Sequence, residues 1–385
     1  MTFTDSTIKA IHDAAKRHVG DDAVPGHVAL VACGDEVHVE THGTLSIGGP
    51  PVARDSIFRI ASTSKPITAV ATLALIEEGL FALDQPIAGL IPELAEPRVL
   101  RRYDGPLEET VPAQRAITVR DLLTFTFGSG AITEMFIAKE PWPVMAAAVD
   151  LDLGIVGAPD LEHQPGPDEW MRRFGSLPLL DQPGERWHYG TGASVLGVLA
   201  ARAAGIPFAD VLRTRVFEPL GMSDTGFFTT ETQRLATAYR PSRDGLVVWD
   251  EPDGIFSHPP RFGDGAAGIV STADDLLAFA RMFLRGGAGV ISAASVEAMT
   301  TDQLTDAQRS QGGLGADFFD ARGWSFCQAV YPDGSFGWDG GFGTCWRVDP
   351  RNQLTVVSLT QRMWETSSPP PVHTDLLAAA RAAIG

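Results

Sequence analysis

The chain has 385 residues, 44% hydrophobic and 20% charged, with a formal net charge of −18. That length suits one large domain or two sharing an interface, and the composition is ordinary for a soluble globular protein. The charge argues against nucleic acid and against an anionic membrane surface as partners, and no run of about 18 apolar residues free of charges is present to span a bilayer.

Taken in order, the N-terminal MTFTDSTIKAIHDAAKRH lacks the continuous apolar run of a secretory signal. Ile8, Ile11, Ala14, Ala15 and Val19 recur at helical spacing, with Ser6-Thr7-Ile8-Lys9 as cap and first turn. Residues 27–33 read as a strand, Gly34-Asp35 as a turn and 36–43 as its hairpin partner. A short strand at 58–61 then leads into ITAVATLALIEEGL, a helix apolar nearly all round and therefore central to the fold.

Residues 84–115 look irregular, and 117–128 reads as a helix with an apolar stripe ending at Gly128. The stretch 129–185 carries Met135, Phe136, Trp142, Met145, Trp170 and Met171 among several prolines. It reads either as a lid bearing apolar side chains or as the core of a helical subdomain. A loop and an apolar helix follow at 183–205, and a further helix ends in 215–222. At 265–287 come a glycine-rich turn, a short strand, a capped helix and a glycine stop. Strands return at 334–340, 343–350 and 353–361 before a final helix from about Pro371 to Ile384. Strands at both ends with helices between predict an α/β fold of the α+β type. Residues 1–60 and 265–385 would build the sheet domain, and 61–264 a mostly helical domain.

Chemistry concentrates where the buried helix begins. Ser62 and Lys65 stand one helical turn apart, which places hydroxyl and amine side by side at a helix N-terminus. Burial would strip Lys65 of solvation and make it a better base, so Ser-x-x-Lys is a nucleophile with its activator built in. Only four lysines occur against 26 arginines, which singles out a cation able to give up its proton. The competing reading is an N-cap serine followed by a snorkelling lysine. Tyr189, in the turn Tyr189-Gly190-Thr191-Gly192, offers a phenol whose pKa would fall beside a lysine cation. Gly337-Trp338-Asp339-Gly340-Gly341 gathers glycines around a tryptophan on a strand, where a backbone N–H can meet an oxyanion.

Other signals lead nowhere by themselves. Gly263-Asp264-Gly265-Ala266-Ala267-Gly268 matches G-x-G-x-x-G but follows PPRF rather than a buried strand, so a dinucleotide site is not expected. The nine histidines are scattered singly, without H-E-x-x-H, and His188 reads as a packing or surface residue. No metal site is expected. Cys33, Cys327 and Cys345 show no metal-type spacing and imply free thiols in a reducing, cytoplasmic setting.

In combination, Ser62-x-x-Lys65, Tyr189-x-Thr191 and Trp338-x-Gly340 resemble, in order and separation, the serine β-lactamase and penicillin-binding-protein superfamily, most closely its class C branch and the related carboxylesterases. FRIASTSKPITA, PGERWHYGTG and WDGGFGT support the likeness, which covers about residues 25–360. The resemblance implies a β-lactamase-like fold, with an antiparallel sheet flanked by helices and a mostly helical insertion. It makes Ser62 the acylated nucleophile and Lys65 with Tyr189 the base pair. Backbone N–H groups of Ser62 and Gly341 become the oxyanion hole, and Thr191, Trp338, Asp339, Gly340 and Phe125 border the substrate.

Departures from the family bear on substrate. Its Tyr-x-Asn is here Tyr189-Gly190-Thr191, and its Lys-Thr-Gly is Trp338-Asp339-Gly340, so the cation that would meet a β-lactam carboxylate is replaced. An anion facing Asp339 would be repelled. LLTHTSG reads LLTFTFG, with Phe125 and Phe127. The expectation is a cofactor-free hydrolase of small neutral esters with short acyl chains, its oligomeric state left open. A β-lactamase, D-amino-acid amidase or acyltransferase of the same mechanism, or a non-catalytic scaffold, are the alternatives.

Overall fold

In the computed structural model of the protein, residues 3–155 and 162–383 are described. Its largest sheet is built from both chain ends. β1 (Gly26–Cys33) and β2 (Glu36–Gly43) form the expected hairpin, paired from Gly26 opposite Gly43 to Cys33 opposite Glu36. Near the C-terminus follow β3 (Gly323–Trp324), β4 (Ala329–Val330), β5 (Phe336–Gly340), β6 (Thr344–Asp349) and β7 (Leu354–Thr360). They complete a seven-stranded antiparallel sheet of order β2-β1-β7-β6-β5-β4-β3. β1 and β7 are buried along their whole length, as strands covered on both faces must be.

One face lies under α1 (Asp5–Lys16) and a C-terminal helix, Pro371–Ala382, through a core of Ile11, Ala15, Ala29, Val31, Leu354 and Leu376. Thr4, rather than Ser6, caps α1, its hydroxyl accepting from the Thr7 N–H. The expected end of the last helix at Ile384 lies outside the described residues.

The opposite face carries the main core and α2 (Ser64–Glu77), buried without interruption from Ser64 to Leu75. Beside it packs α3 (Thr191–Ala204), stopped by Gly205 at φ 67°, while α4 (Ala273–Leu284), capped by Thr272, lies on β1, β6 and β7. An antiparallel pair, Phe58–Arg59 with Val270–Ser271, ties the entry of α2 to the entry of α4.

Two readings change. The helix expected over 117–128 is only Val119–Leu123, because Phe125 turns left-handed (φ 62°) and its carbonyl accepts from the His188 N–H at 2.7 Å. A tertiary contact with the Tyr189 segment thus wins over the continuing apolar stripe. The stretch 129–185 divides among short helices at Thr133–Ile137, Pro143–Asp150 and Pro167–Phe174. Trp170 and Met171 belong to the main core, whereas Phe136 and Ile137 stay exposed. The part of that expectation at 156–161 lies outside the described residues. Among the described residues no single helix is long and apolar enough to cross a membrane.

Candidate active site

Ser62 sits in a single 3-10 turn, Ala61–Thr63, immediately before α2. Ala61 is left-handed at φ 44°, a conformation that costs a non-glycine residue about 1–3 kcal/mol. The turn is braced from β5 and β6: Thr344 Oγ1 donates to the Ile60 carbonyl at 3.0 Å and lies 3.1 Å from Thr63 Oγ1. Lys65 Nζ donates to Ser62 Oγ at 2.8 Å and to the Ala266 carbonyl at 2.7 Å. Tyr189 arrives on a two-residue antiparallel bridge with Ala131, just ahead of α3. Its phenol faces Ser62 across the cavity wall and accepts from the Trp338 indole N–H at 2.8 Å, while its ring lies under Lys65 Nζ at 4.7 Å. Hydroxyl, amine and phenol thus meet at the wall of a cavity of about 670 Å3.

Protonation follows from burial. Lys65 is pulled down to about 8, chiefly by desolvation, against the opposing pull of the Asp264 carboxylate. Tyr189 goes the other way from the sequence expectation: burial pushes its phenol above the ordinary value of 10.0, and the hydrogen bond from Trp338 does not offset it. The pair therefore consists of an amine near its deprotonation point and a phenol that keeps its proton. That arrangement can remove a proton from Ser62 and deliver one to a leaving group.

The remaining expected residues separate by position. Thr191 and Gly341 border the cavity, as does Trp338. Gly340 does not: a Cβ there would stand 2.2 Å from the Ile60 carbonyl oxygen and 2.2 Å from Thr344 Oγ1, so its bareness lets β5 press against the Ser62 turn. Phe125 is fully buried behind the site, its ring edge-on to Tyr189 at 6.0 Å, and supports the tyrosine rather than a substrate. Asp339 is corrected most sharply. It reaches the cavity edge, but its carboxylate is buried and paired with Arg347. The guanidinium NH2 donates to Oδ2 at 2.9 Å, and NH1 lies 2.8 Å from Oδ1. The expected repulsion of substrate anions is therefore cancelled inside the protein. His188 is fully buried against Asp181 at 2.7 Å, a packing residue rather than a surface one.

Several site residues went unnoticed in the sequence. The dismissed 263–268 glycine motif supplies the Ala266 carbonyl that anchors Lys65, and Gly265 lets it approach, since a Cβ would stand 2.6 Å from the Ala193 carbonyl oxygen. Asp264 is buried at the cavity wall, its Oδ1 accepting from the Ala266 N–H at 2.8 Å. Trp324 and Phe318 add to the aromatic side, the Trp324 ring meeting Trp338 perpendicularly at 4.6 Å. Arg322 brings a guanidinium to the cavity, over the Phe318 ring at 4.8 Å. A larger cavity of about 780 Å3, walled by Phe208, Phe227 and Pro260, holds neither Ser62, Lys65 nor Tyr189.

The field of Asp264 on Lys65 has a measurable consequence. Asp264→Asn removes the charge that holds the ammonium form in place, so the acid limb of the kcat/KM profile should move to lower pH. A limb that stays put in the folded variant would mean that Asp264 carries no charge at the working pH.

Sheet, buried helix and this cluster define a serine hydrolase. The chain belongs to the Beta-lactamase family, whose model matches residues 11–380. It is 32% identical over 395 residues to esterase EstB of Burkholderia gladioli, covering 94% of this chain and 92% of that one. Protein Rv1367c of Mycobacterium tuberculosis is 37% identical over 332 residues, 81% of this chain and 79% of the relative. Among solved structures, EstCE1, described as a hydrolase with promiscuous acyltransferase activity, superposes with a TM-score of 0.79 at 24% identity, covering 98% of this chain and 99% of its own.

Proposed function

We propose that the protein hydrolyses carboxylic esters, with short acyl chains favoured, through a covalent acyl-Ser62 intermediate. One observation carries the reading: Ser62 Oγ holds a 2.8 Å hydrogen bond from a lysine whose pKa burial has lowered to about 8. The Tyr189 phenol lines the same cavity wall as that Ser62. In the neutral form Lys65 takes the Ser62 proton as Oγ attacks the ester carbonyl carbon. Backbone N–H groups of Ser62 and Gly341, both at the cavity wall, meet the oxyanion. Tyr189 gives its proton to the departing alkoxide and regains one from Lys65, after which water replaces the alcohol and the steps run in reverse.

The preference for esters rests on what surrounds the nucleophile. An indole, Trp338, stands where a β-lactam-cleaving relative would place a lysine, and Trp338, Phe318 and Phe342 present apolar rings to the substrate. Likeness to esterase EstB supports the same choice. Acyl transfer to an alcohol is the same chemistry with a different acceptor, and the acyltransferase activity described for EstCE1 keeps it as the second reading. The three buried free cysteines suit a reducing, cytoplasmic setting.

Intact-mass spectrometry after a fluorophosphonate should find one adduct, absent in Ser62→Ala. In parallel assays p-nitrophenyl butyrate should turn over faster than a chromogenic cephalosporin. Faster cephalosporin turnover would overturn the ester preference, and a wild type that takes no adduct would overturn the enzymatic mechanism.

A further inference from the structure

The histidines that look scattered in the sequence are not all scattered in space. His38, Glu40 and His42 alternate along β2, so their side chains leave one face of this edge strand. Across the strand pair they lie opposite Val31, Ala29 and His27. Ala29 and Val31 pack with Ile11 and Ala15, which makes this the face that α1 covers, while Val37 and Val39 turn to the main core. Onto that face α1 delivers His12.

The donor atoms converge. His12 Nδ1 lies 2.9 Å from Glu40 Oε2, and His42 Nε2 lies 3.2 Å from the same oxygen. Ligand atoms of His12, Glu40 and His42 all fall within 4.8 Å of one another. His42 Nε2 is buried and faces that carboxylate oxygen without forming a hydrogen bond to it. His38 Nε2 holds the other carboxylate oxygen, Oε1, at 2.7 Å.

We propose that His12, Glu40 and His42 form a binding site for a divalent transition-metal ion of the zinc type, which clamps α1 to the edge of the sheet. Two imidazoles and a carboxylate are a common ligand set for zinc, and its bonds of about 2.0–2.2 Å in tetrahedral geometry put donors about 3.3 Å apart. The two contacts to Glu40 Oε2 are already close to that spacing, and water completes the fourth position. His38 acts from outside the coordination shell, holding Oε1 so that Oε2 faces the ion.

A divalent cation is attracted by a chain of net charge −18. Three strands separate β2 from β5, so the clamp lies apart from Ser62.

The test uses the untagged full-length chain, stripped with a chelator, dialysed and titrated with ZnCl2 by calorimetry. Wild type should take up one equivalent, and its Tm should rise with ZnCl2 concentration. His12→Ala and Glu40→Gln should each weaken binding by more than about 10-fold while p-nitrophenyl butyrate turnover is unchanged. His12 is the most exposed of the three ligands, so its loss least threatens folding. Failure of wild type to bind one equivalent overturns the site, as does wild-type affinity in both variants.

Discussion

Lys65→Ala should lower kcat/KM for p-nitrophenyl butyrate by about 1,000-fold or more, toward the upper end of what a positioned base contributes. The same variant should lose the fluorophosphonate adduct at Ser62 while its far-UV circular dichroism stays native. The expectation follows from where Nζ is held. It bridges Ser62 Oγ at 2.8 Å and the Ala266 carbonyl at 2.7 Å, and only 3% of the residue is exposed. Lys65→Arg separates base from charge, since a guanidinium keeps the cation but does not give up a proton near neutrality. It too should be inactive. Activity in Lys65→Arg would mean that the cation, not the base, is what the site needs. In wild type the amine is deprotonated above about 8, so the rate should rise with pH and level off beyond that value.

The second large effect concerns stability. Arg347→Met should destabilise the fold by about 3–5 kcal/mol, read as a lower urea midpoint, because it strands a buried carboxylate. Asp339 and Arg347 are both buried, and Arg347 also donates to the Trp346 carbonyl and lies over the Tyr331 ring at 5.0 Å. Burial alone would raise Asp339, but the Arg347 cation and its hydrogen bond hold the carboxyl below 3.8. With the folded value depressed, the pair's contribution is fully present above the unfolded value and is lost as pH falls through the folded one. In the variant the sign reverses. An unpaired Asp339 binds its proton more tightly when folded, so Arg347→Met should recover stability on acidification where wild type loses it. A variant as stable as wild type at neutral pH would refute a structural role for the pair.

Much of the site could be read from local spacing. Ser62 and Lys65 are one turn apart on a helix with no polar side, and the structure places them 2.8 Å from each other. The hairpin 26–43, the helix opening at Thr191 and the three closing strands were legible for the same reason, a hydrophobic period resolved over a few residues. Strand alternation also showed in principle that Trp338 and Asp339 point to opposite faces, and that His38, Glu40 and His42 share one. What the strand pattern does not contain is which face meets Tyr189, that Arg347 stands across from Gly337, two residues before Asp339, or that His12 arrives from a helix. The 263–268 glycines illustrate the limit. Their bareness was visible, yet its purpose, bringing the Ala266 carbonyl to Lys65, exists only once α2 and α3 have packed.

The chain by itself therefore determined the kinds of groups that meet at the site, because a hydroxyl and an amine one turn apart are juxtaposed by the geometry of a single helix. Tertiary structure alone decided their protonation and their partners: a lysine lowered to about 8, a tyrosine raised rather than lowered, an aspartate turned to an arginine. The reason is physical. Desolvation and charge pairing are set by whatever segments close around a group, and here those segments lie up to hundreds of residues away along the chain.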